Sequence, residues 1–351
     1  MELNAIIKDF SELGEILRNY SSGKSEDTQQ KYFRLLEETE KKAQEENPWF
    51  TSLFIQKAFE AIGKSLTEQK IKQWLEAYPE LKKQVKKPRK VGVVNAGNIP
   101  FVGFHDFITV LLSGHIYYGK LSEKDKHLPK AIAKILELIN HEYHKKIIFE
   151  EETFKNFDAI IATGSNNSAR YFNYYFGKYP HIIRSNRNGV AVLTGSESDK
   201  EIQALANDIF MYFGMGCRNV SKIYIPDNYN LDKFFKNITG YEFLMDHNKY
   251  MNNYDYNKSI FLMNGDMFYD NNFVLLKENT SLSSPISVVY YEYYKNIKQV
   301  KKQLENYKDE VQCIVSHSQE FPEAVQPGNS QYPELWDYAD NIDTLKFLLN
   351  L

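Results

Sequence analysis

The chain has 351 residues, 42% of them hydrophobic and 25% charged, with a formal net charge of −3. That length and composition suit a globular protein of two domains, and the negative balance excludes a general nucleic-acid binder, which needs a basic surface to neutralise phosphates. Two cysteines, Cys217 and Cys313, are too few for a disulfide framework and fit a reducing cytosol. No apolar run reaches the roughly 20 residues of a membrane helix and no signal-peptide pattern opens the sequence, so a cytoplasmic protein is expected.

Residues 1 to 88 read as a helical layer. Ile6, Phe10, Leu13 and Ile16-Leu17 follow helical spacing, Ser21-Ser22-Gly23 breaks it, and Asn47-Pro48-Trp49-Phe50 makes a turn. Thr67 opens a further helix, with Leu66 before it as a staple. The basic run from Lys82 to Lys90 reads as a solvated entry loop, or more sharply as a site for an anionic cofactor tail.

At Val91 the texture changes. Val91-Gly92-Val93-Val94 has the continuous apolar character of a buried parallel strand, and Asn95 to Pro100 turns sharply. Residues 101–112 read as a helix and 116–120 as a second strand. An amphipathic helix spans 127–143, and strands follow at 147–149 and 157–162. A helix through Tyr171-Phe172 leads to short strands at 181–184 and 190–193. This alternation predicts βαβ units and a parallel sheet, with ligands at the carboxyl ends of its strands. Those ends carry Asn98, Lys120 and Gly164-Ser165.

A helix over 199–213 leads to Phe213-Gly214-Met215-Gly216-Cys217-Arg218-Asn219, just ahead of a β-branched, aromatic strand ending at Pro226. Glycines at 214 and 216, both just ahead of the thiol, leave the backbone open for a bulky carbonyl to reach it. Taken alone, a lone cysteine is as readily a buried structural residue. Strands are expected at 259–263, 273–276, 286–291 and 311–315, and helices at 296–307 and in the tail from Trp336. Cys313 lies in the last strand and reads as core. The polar-aromatic stretch 246–258 carries no assignment. His105 reads as a packing or capping residue, and no metal site is expected.

The order of these features resembles the aldehyde dehydrogenase superfamily, in its acyl-CoA reductase branch, which includes the fatty acid reductase of bacterial luminescence. The short acyl-CoA reductase-like proteins of Bacteroidetes-type bacteria are similar over most of the chain. The residues that carry the likeness are Gly97-Asn98-Ile99-Pro100, Lys120-Leu121-Ser122-Glu123, residues 162–170 and Gly214-Met215-Gly216-Cys217. The resemblance implies an α/β fold with a Rossmann-type cofactor domain, a helical N-terminal layer and an α/β catalytic domain. The expected division is 1–195 for the layer and cofactor domain, 196–330 for the catalytic domain, and 331–351 for a tail packing back on the domains.

It also implies roles. Cys217 matches the nucleophile and Asn98 the oxyanion donor. Lys120, Ser122, Glu123, Gly164 and Ser165 match positions that hold a nicotinamide cofactor. NADPH is the expectation, although Glu123 would repel a 2′-phosphate and so leaves NADH open. Arg218 is either a cation that keeps Cys217 ionised or a surface residue. Hydrolytic members carry a glutamate that activates water; here residues 184–189 read Arg-Ser-Asn-Arg-Asn-Gly, with no carboxylate. Without a general base, water attack on an acyl-enzyme is slow. The implied function is NAD(P)H-dependent reduction of an acyl-CoA or acyl-carrier-protein thioester, fatty acyl by resemblance, to an aldehyde through acyl-Cys217. The alternatives are a CoA-acylating aldehyde dehydrogenase, or a non-redox acyl-transfer subunit beside an acyl-delivering partner.

Overall fold

The computed structural model describes residues 2–24, 26–82 and 87–351. The elements in chain order are α1 (Leu3–Ser21), α2 (Gln30–Glu46), α3 (Ser52–Ser65), α4 (Glu68–Leu75), β1 (Lys90–Val94), α5 (Phe104–Leu112), β2 (Ile116–Lys120), α6 (His127–Ile139), β3 (Ile147–Phe149), β4 (Ala159–Thr163), α7 (Asn166–Phe176) and β5 (His181–Arg184). There follow β6 (Asn188–Val192), α8 (Asp199–Phe210), β7 (Val220–Pro226), α9 (Leu231–Asn237), α10 (Asn248–Asn264), β8 (Tyr269–Asp270), β9 (Leu275–Glu278), β10 (Val288–Tyr294), α11 (Ile297–Asn306), β11 (Val311–Val315) and α12 (Thr344–Leu349). They fold into two compact units, Met1–Asn186 with Glu334–Leu351, and Arg187–Pro333.

In the first unit, α1 buries Phe10, Leu13, Ile16 and Leu17 completely, the stripe its spacing predicts. Thr51 and Thr67 cap α3 and α4 by accepting the N–H of Phe54 and Lys70 at 3.3 and 3.2 Å. The sheet is wholly parallel, in the order β3-β2-β1-β4-β5. The chain enters at the central β1, builds outward through β2 and β3, then crosses back to lay β4 on the other side of β1. Val91, Val93, Ile160 and Ile161 are fully buried, as strands covered on both faces must be. The carboxyl edge between β1 and β4 is the topological switch point where such sheets take their ligands.

The second sheet runs β11-β6-β7-β10-β9-β8, parallel except for β8 on β9. β6, with which the sequence reading closes the first domain, hydrogen-bonds β7 and β11 and lies in the second unit. The tail belongs to the first unit, where Leu345 and Leu348 are fully buried and the Leu348 carbonyl meets His115 Nε2 at 2.9 Å. Among the described residues no helix is long and apolar enough to cross a membrane.

Three expectations need correction. Residues 259–263 are not a strand but the last turns of α10, whose buried residues are Tyr250, Tyr254, Asn257 and Phe261. The run Ile260-Phe261-Leu262-Met263 imitates a strand, yet Leu262 and Met263 are exposed. The helix expected from 101 starts at Phe104, because Phe101 has a left-handed backbone, φ 61°. The helix expected to 213 ends at Phe210, for the same reason at Tyr212 and Phe213. Of the basic run, residues 83–86 lie outside the described residues; Lys87, Pro88 and Arg89 are exposed.

Candidate active site

The turn after β1 is held at both ends. At its start, Asn95 donates its main-chain N–H to the Lys120 carbonyl at 3.0 Å and its side-chain amide to Tyr117 Oη at 2.9 Å. A Cβ at Gly103 would lie 1.6 Å from Asn95 Oδ1, so a side chain there would displace the Asn95 amide. At its end, the N–H of Phe101 donates to Asp125 Oδ2 at 2.8 Å. Between these pins Gly97 presses against the next loop, where a Cβ would come within 2.4 Å of Ser122 Oγ. Asn98 is exposed at the top of this turn.

The other first-unit candidates share that edge of the sheet. Lys120 ends β2, with Nζ donating to the Glu152 carbonyl at 2.6 Å, and Ser122 Oγ accepts the N–H of Lys124 at 3.3 Å. Glu123 is exposed. Past β4, Gly164 donates its N–H to the Arg184 carbonyl at 3.2 Å. A Cβ there would sit 2.8 Å from that of Ser168. Ser165 caps α7, accepting the Ser168 N–H at 3.2 Å. The sheet therefore brings Asn98, Lys120, Ser122, Glu123, Gly164 and Ser165 to one edge. A glycine-serine turn opening a helix of 11 residues beside a central strand fits a dinucleotide pyrophosphate, which unpaired helix N–H groups and the helix dipole favour.

Cys217 lies in the second unit, exposed, in the loop ahead of β7. It is thus at the amino end of its strand, unlike the first-unit residues. Three successive left-handed residues, Tyr212, Phe213 and Gly214, fold the chain back from α8. Such backbone persists only where its surroundings over-determine it. Asn219 does this. Its Oδ1 accepts the Gly216 N–H at 2.8 Å, and its Nδ2 reaches the carbonyls of Asp208, Ile209 and Met211 at 3.0, 3.3 and 2.9 Å. One side chain, 2% exposed, closes the end of α8 and fixes the turn that presents Cys217. Asp208 anchors the same helix end, accepting the N–H groups of Gly328 and Ser330 at 2.6 and 2.9 Å, and burial pushes its carboxyl up to about 6. Sequence reasoning assigned no role to Asn219; its place two residues after the cysteine was the only available signal.

The remaining candidates resolve as follows. His105 packs on Trp74 and Tyr338 with its Nε2 2.8 Å from the Leu335 carbonyl, as expected. His247 caps α10, its Nδ1 accepting the Tyr250 N–H at 3.2 Å, and its ring lies 4.3 Å from that of Phe213. The stretch 246–258 is therefore helix start and helix. Cys313 is buried in β11.

Asp125 is 5% exposed, and burial pushes its carboxyl up to about 7. An unfolded aspartate titrates near 4, so the folded chain holds this proton more tightly. The stability this contributes is full below about pH 4 and is lost as pH rises to about 7. We expect unfolding midpoints of the first unit to fall between pH 5 and pH 8, and to fall less in Asp125→Asn. Equal pH dependence in the two proteins, measured by urea titration, would contradict this.

Similar folds are found among solved structures, aldehyde dehydrogenases among them. An NAD-dependent aldehyde dehydrogenase from Burkholderia multivorans aligns over 97% of this chain and 78% of its own, at 12% identity and TM-score 0.58. Aldehyde dehydrogenase 21 from Physcomitrella patens aligns over 99% and 87%, at 13% identity and TM-score 0.57. HpcC from Thermus thermophilus aligns over 91% and 71%, at 10% identity and TM-score 0.60. The fold is that of the aldehyde dehydrogenase superfamily. A comparison with curated proteins finds no match. The acyl-CoA reductase (LuxC) family profile matches residues 13–242, about two thirds of the chain, and the protein belongs to that family. It is an oxidoreductase of aldehyde chemistry.

Proposed function

We propose that the protein reduces an acyl thioester to an aldehyde, with Cys217 as nucleophile and Asn98 as oxyanion donor. Cys217 attacks the carbonyl of an acyl-CoA or acyl-carrier thioester as thiolate; the carrier thiolate leaves and takes up a proton, and an acyl-enzyme remains. The side-chain amide of Asn98 stabilises the oxyanion that forms on the way, a contribution worth ~10²–10³ in rate. Lys120, Ser122 and Glu123 would hold the ribose, and Gly164 with Ser165 the pyrophosphate, of a nicotinamide cofactor. When bound in its reduced form, that cofactor supplies the hydride that converts the acyl-enzyme to aldehyde and frees the Cys217 thiolate. Solved relatives described as NAD-dependent or NADP-dependent support a nicotinamide cofactor. We favour NADPH on the family likeness.

The observation that carries this reading is the loop of Cys217: an exposed thiol that follows three left-handed residues, Tyr212 to Gly214, in a turn locked by a buried asparagine. A structural cysteine needs no such presentation. Residues 184–189 add support, because they hold no carboxylate to turn the acyl-enzyme toward acid. The test is oxidation of NADPH and of NADH, followed at 340 nm, with a long-chain acyl-CoA. Consumption with aldehyde formed in equal amount is expected. An acyl adduct on Cys217 by mass spectrometry without consumption of either cofactor would replace this reading with non-redox acyl transfer.

A further inference from the structure

We propose that Asp125 is a positioning residue for Asn98: through the N–H of Phe101 it sets the turn on which the oxyanion donor stands, and ties that turn to the loop carrying Ser122 and Glu123. The inference rests on the reading of Asn98 given above.

Three observations carry it. The first is strain. Phe101 has φ 61°, a conformation costly for a bulky aromatic residue, three positions after Asn98. The second is the way Asp125 is used. Its Oδ2 accepts the Phe101 N–H at 2.8 Å, while its Oδ1 is buried without a hydrogen-bond partner. It lines a cavity of about 20 Å³ whose other polar members are Asn95 and Tyr117. Burying a carboxyl for a single hydrogen bond is unfavourable. Packing alone would be better served by an apolar residue; what the carboxyl supplies is an acceptor for the one strained N–H.

The third is that the loop 121–126 is itself anchored. Asn47, 6% exposed, donates its side-chain amide to the Lys124 carbonyl at 3.1 Å, and Glu46 pairs with Lys126 and His127 at 2.8 and 3.0 Å. Gly97, one residue before Asn98, meets Ser122 with no room for a side chain. The Asn47-Pro48-Trp49-Phe50 turn of the helical layer thereby gains a purpose. It fixes the loop, and Asp125 passes that fixity to Asn98.

The test is a double-mutant cycle on thioester reduction. Asp125→Ala should lower kcat about 10- to 100-fold, part of the 10²–10³ that loss of an oxyanion donor costs. Asp125→Asn keeps an oxygen that can accept the Phe101 N–H and should recover most of that loss. In an Asn98→Ala background, Asp125→Ala should lower kcat no further, since the group it positions is gone. Losses that multiply, or an Asp125→Asn protein as impaired as Asp125→Ala with its circular dichroism intact, would overturn the proposal while leaving Asn98 its role. An Asn98→Ala protein of undiminished kcat would remove the oxyanion reading and this one together.

Discussion

Replacing Cys217 with alanine is expected to lower acyl-CoA-driven NAD(P)H oxidation by more than about 10⁴-fold, the scale on which a covalent site fails when its nucleophile is removed. The fold should not notice. Cys217 is exposed, and Asn219 holds the turn around it. Deleting an exposed thiol removes little buried area, so unfolding midpoints should stay within about 0.5 kcal/mol of wild type. Cys313→Ala is the matched control. That thiol is buried in β11, its Sγ 3.6 Å from the Arg218 carbonyl. Its loss should cost about 1 kcal/mol of stability and leave turnover intact. The two cysteines thus separate chemistry from packing in opposite directions. Turnover that survives Cys217→Ala would show that the acyl group is never carried on this residue, and a Cys313→Ala protein that folds but is inactive would move the search there.

Cys217 and the first-unit candidates were visible in the sequence for different reasons. Strand ends were legible because short apolar runs such as Val91-Gly92-Val93-Val94 and Ala159-Ile160-Ile161-Ala162 are bounded by turn residues, and a covered parallel sheet demands that pattern. The residues just past those ends follow from strand placement alone. Failures came where backbone or distant partners decide. Tyr212 and Phe213 are ordinary helix or strand residues by composition, and they turn left-handed where Asn219 grips three nearby carbonyls and the Phe213 ring packs on His247 and Tyr250. Phe101 starts no helix because its backbone is left-handed, in a turn where its N–H is held by Asp125, 24 residues on. α10 was lost because its buried stripe mixes Tyr250, Tyr254 and Asn257 with Phe261, and an amphipathic reading that counts aliphatic residues misses a face built of aromatics and an amide. Asn257 serves that face, donating to the Ile286 carbonyl at 3.1 Å.

Arg184→Met is the substitution expected to cost the most stability in the first unit, about 3–5 kcal/mol, the usual result of breaking a buried ion pair from one side. Arg184 and Asp106 are 4% and 5% exposed, with Nη1 2.7 Å from Asp106 Oδ2 and Nη2 2.7 Å from Thr344 Oγ1. The guanidinium therefore joins β5, α5 and the tail helix α12. Its removal strands a carboxylate whose Oδ1 has no partner even now. Asp106→Leu combined with Arg184→Met should regain much of the loss, because an apolar pair of similar volume avoids the desolvation penalty of both charges. The chain has two units, so one global midpoint would blur the effect. Hydrogen exchange in α5, β5 and α12 reads it directly. Function should follow. The Arg184 carbonyl accepts the N–H of Gly164 at the start of the α7 turn, so loosening β5 displaces the segment proposed to meet the cofactor pyrophosphate. Arg184→Met should raise the KM for the nicotinamide cofactor more than it lowers acylation of Cys217, which involves no cofactor. A double variant no more stable than Arg184→Met would show that the ion pair is not what joins these three elements, and a fall in acylation equal to the rise in cofactor KM would show a general loss of fold.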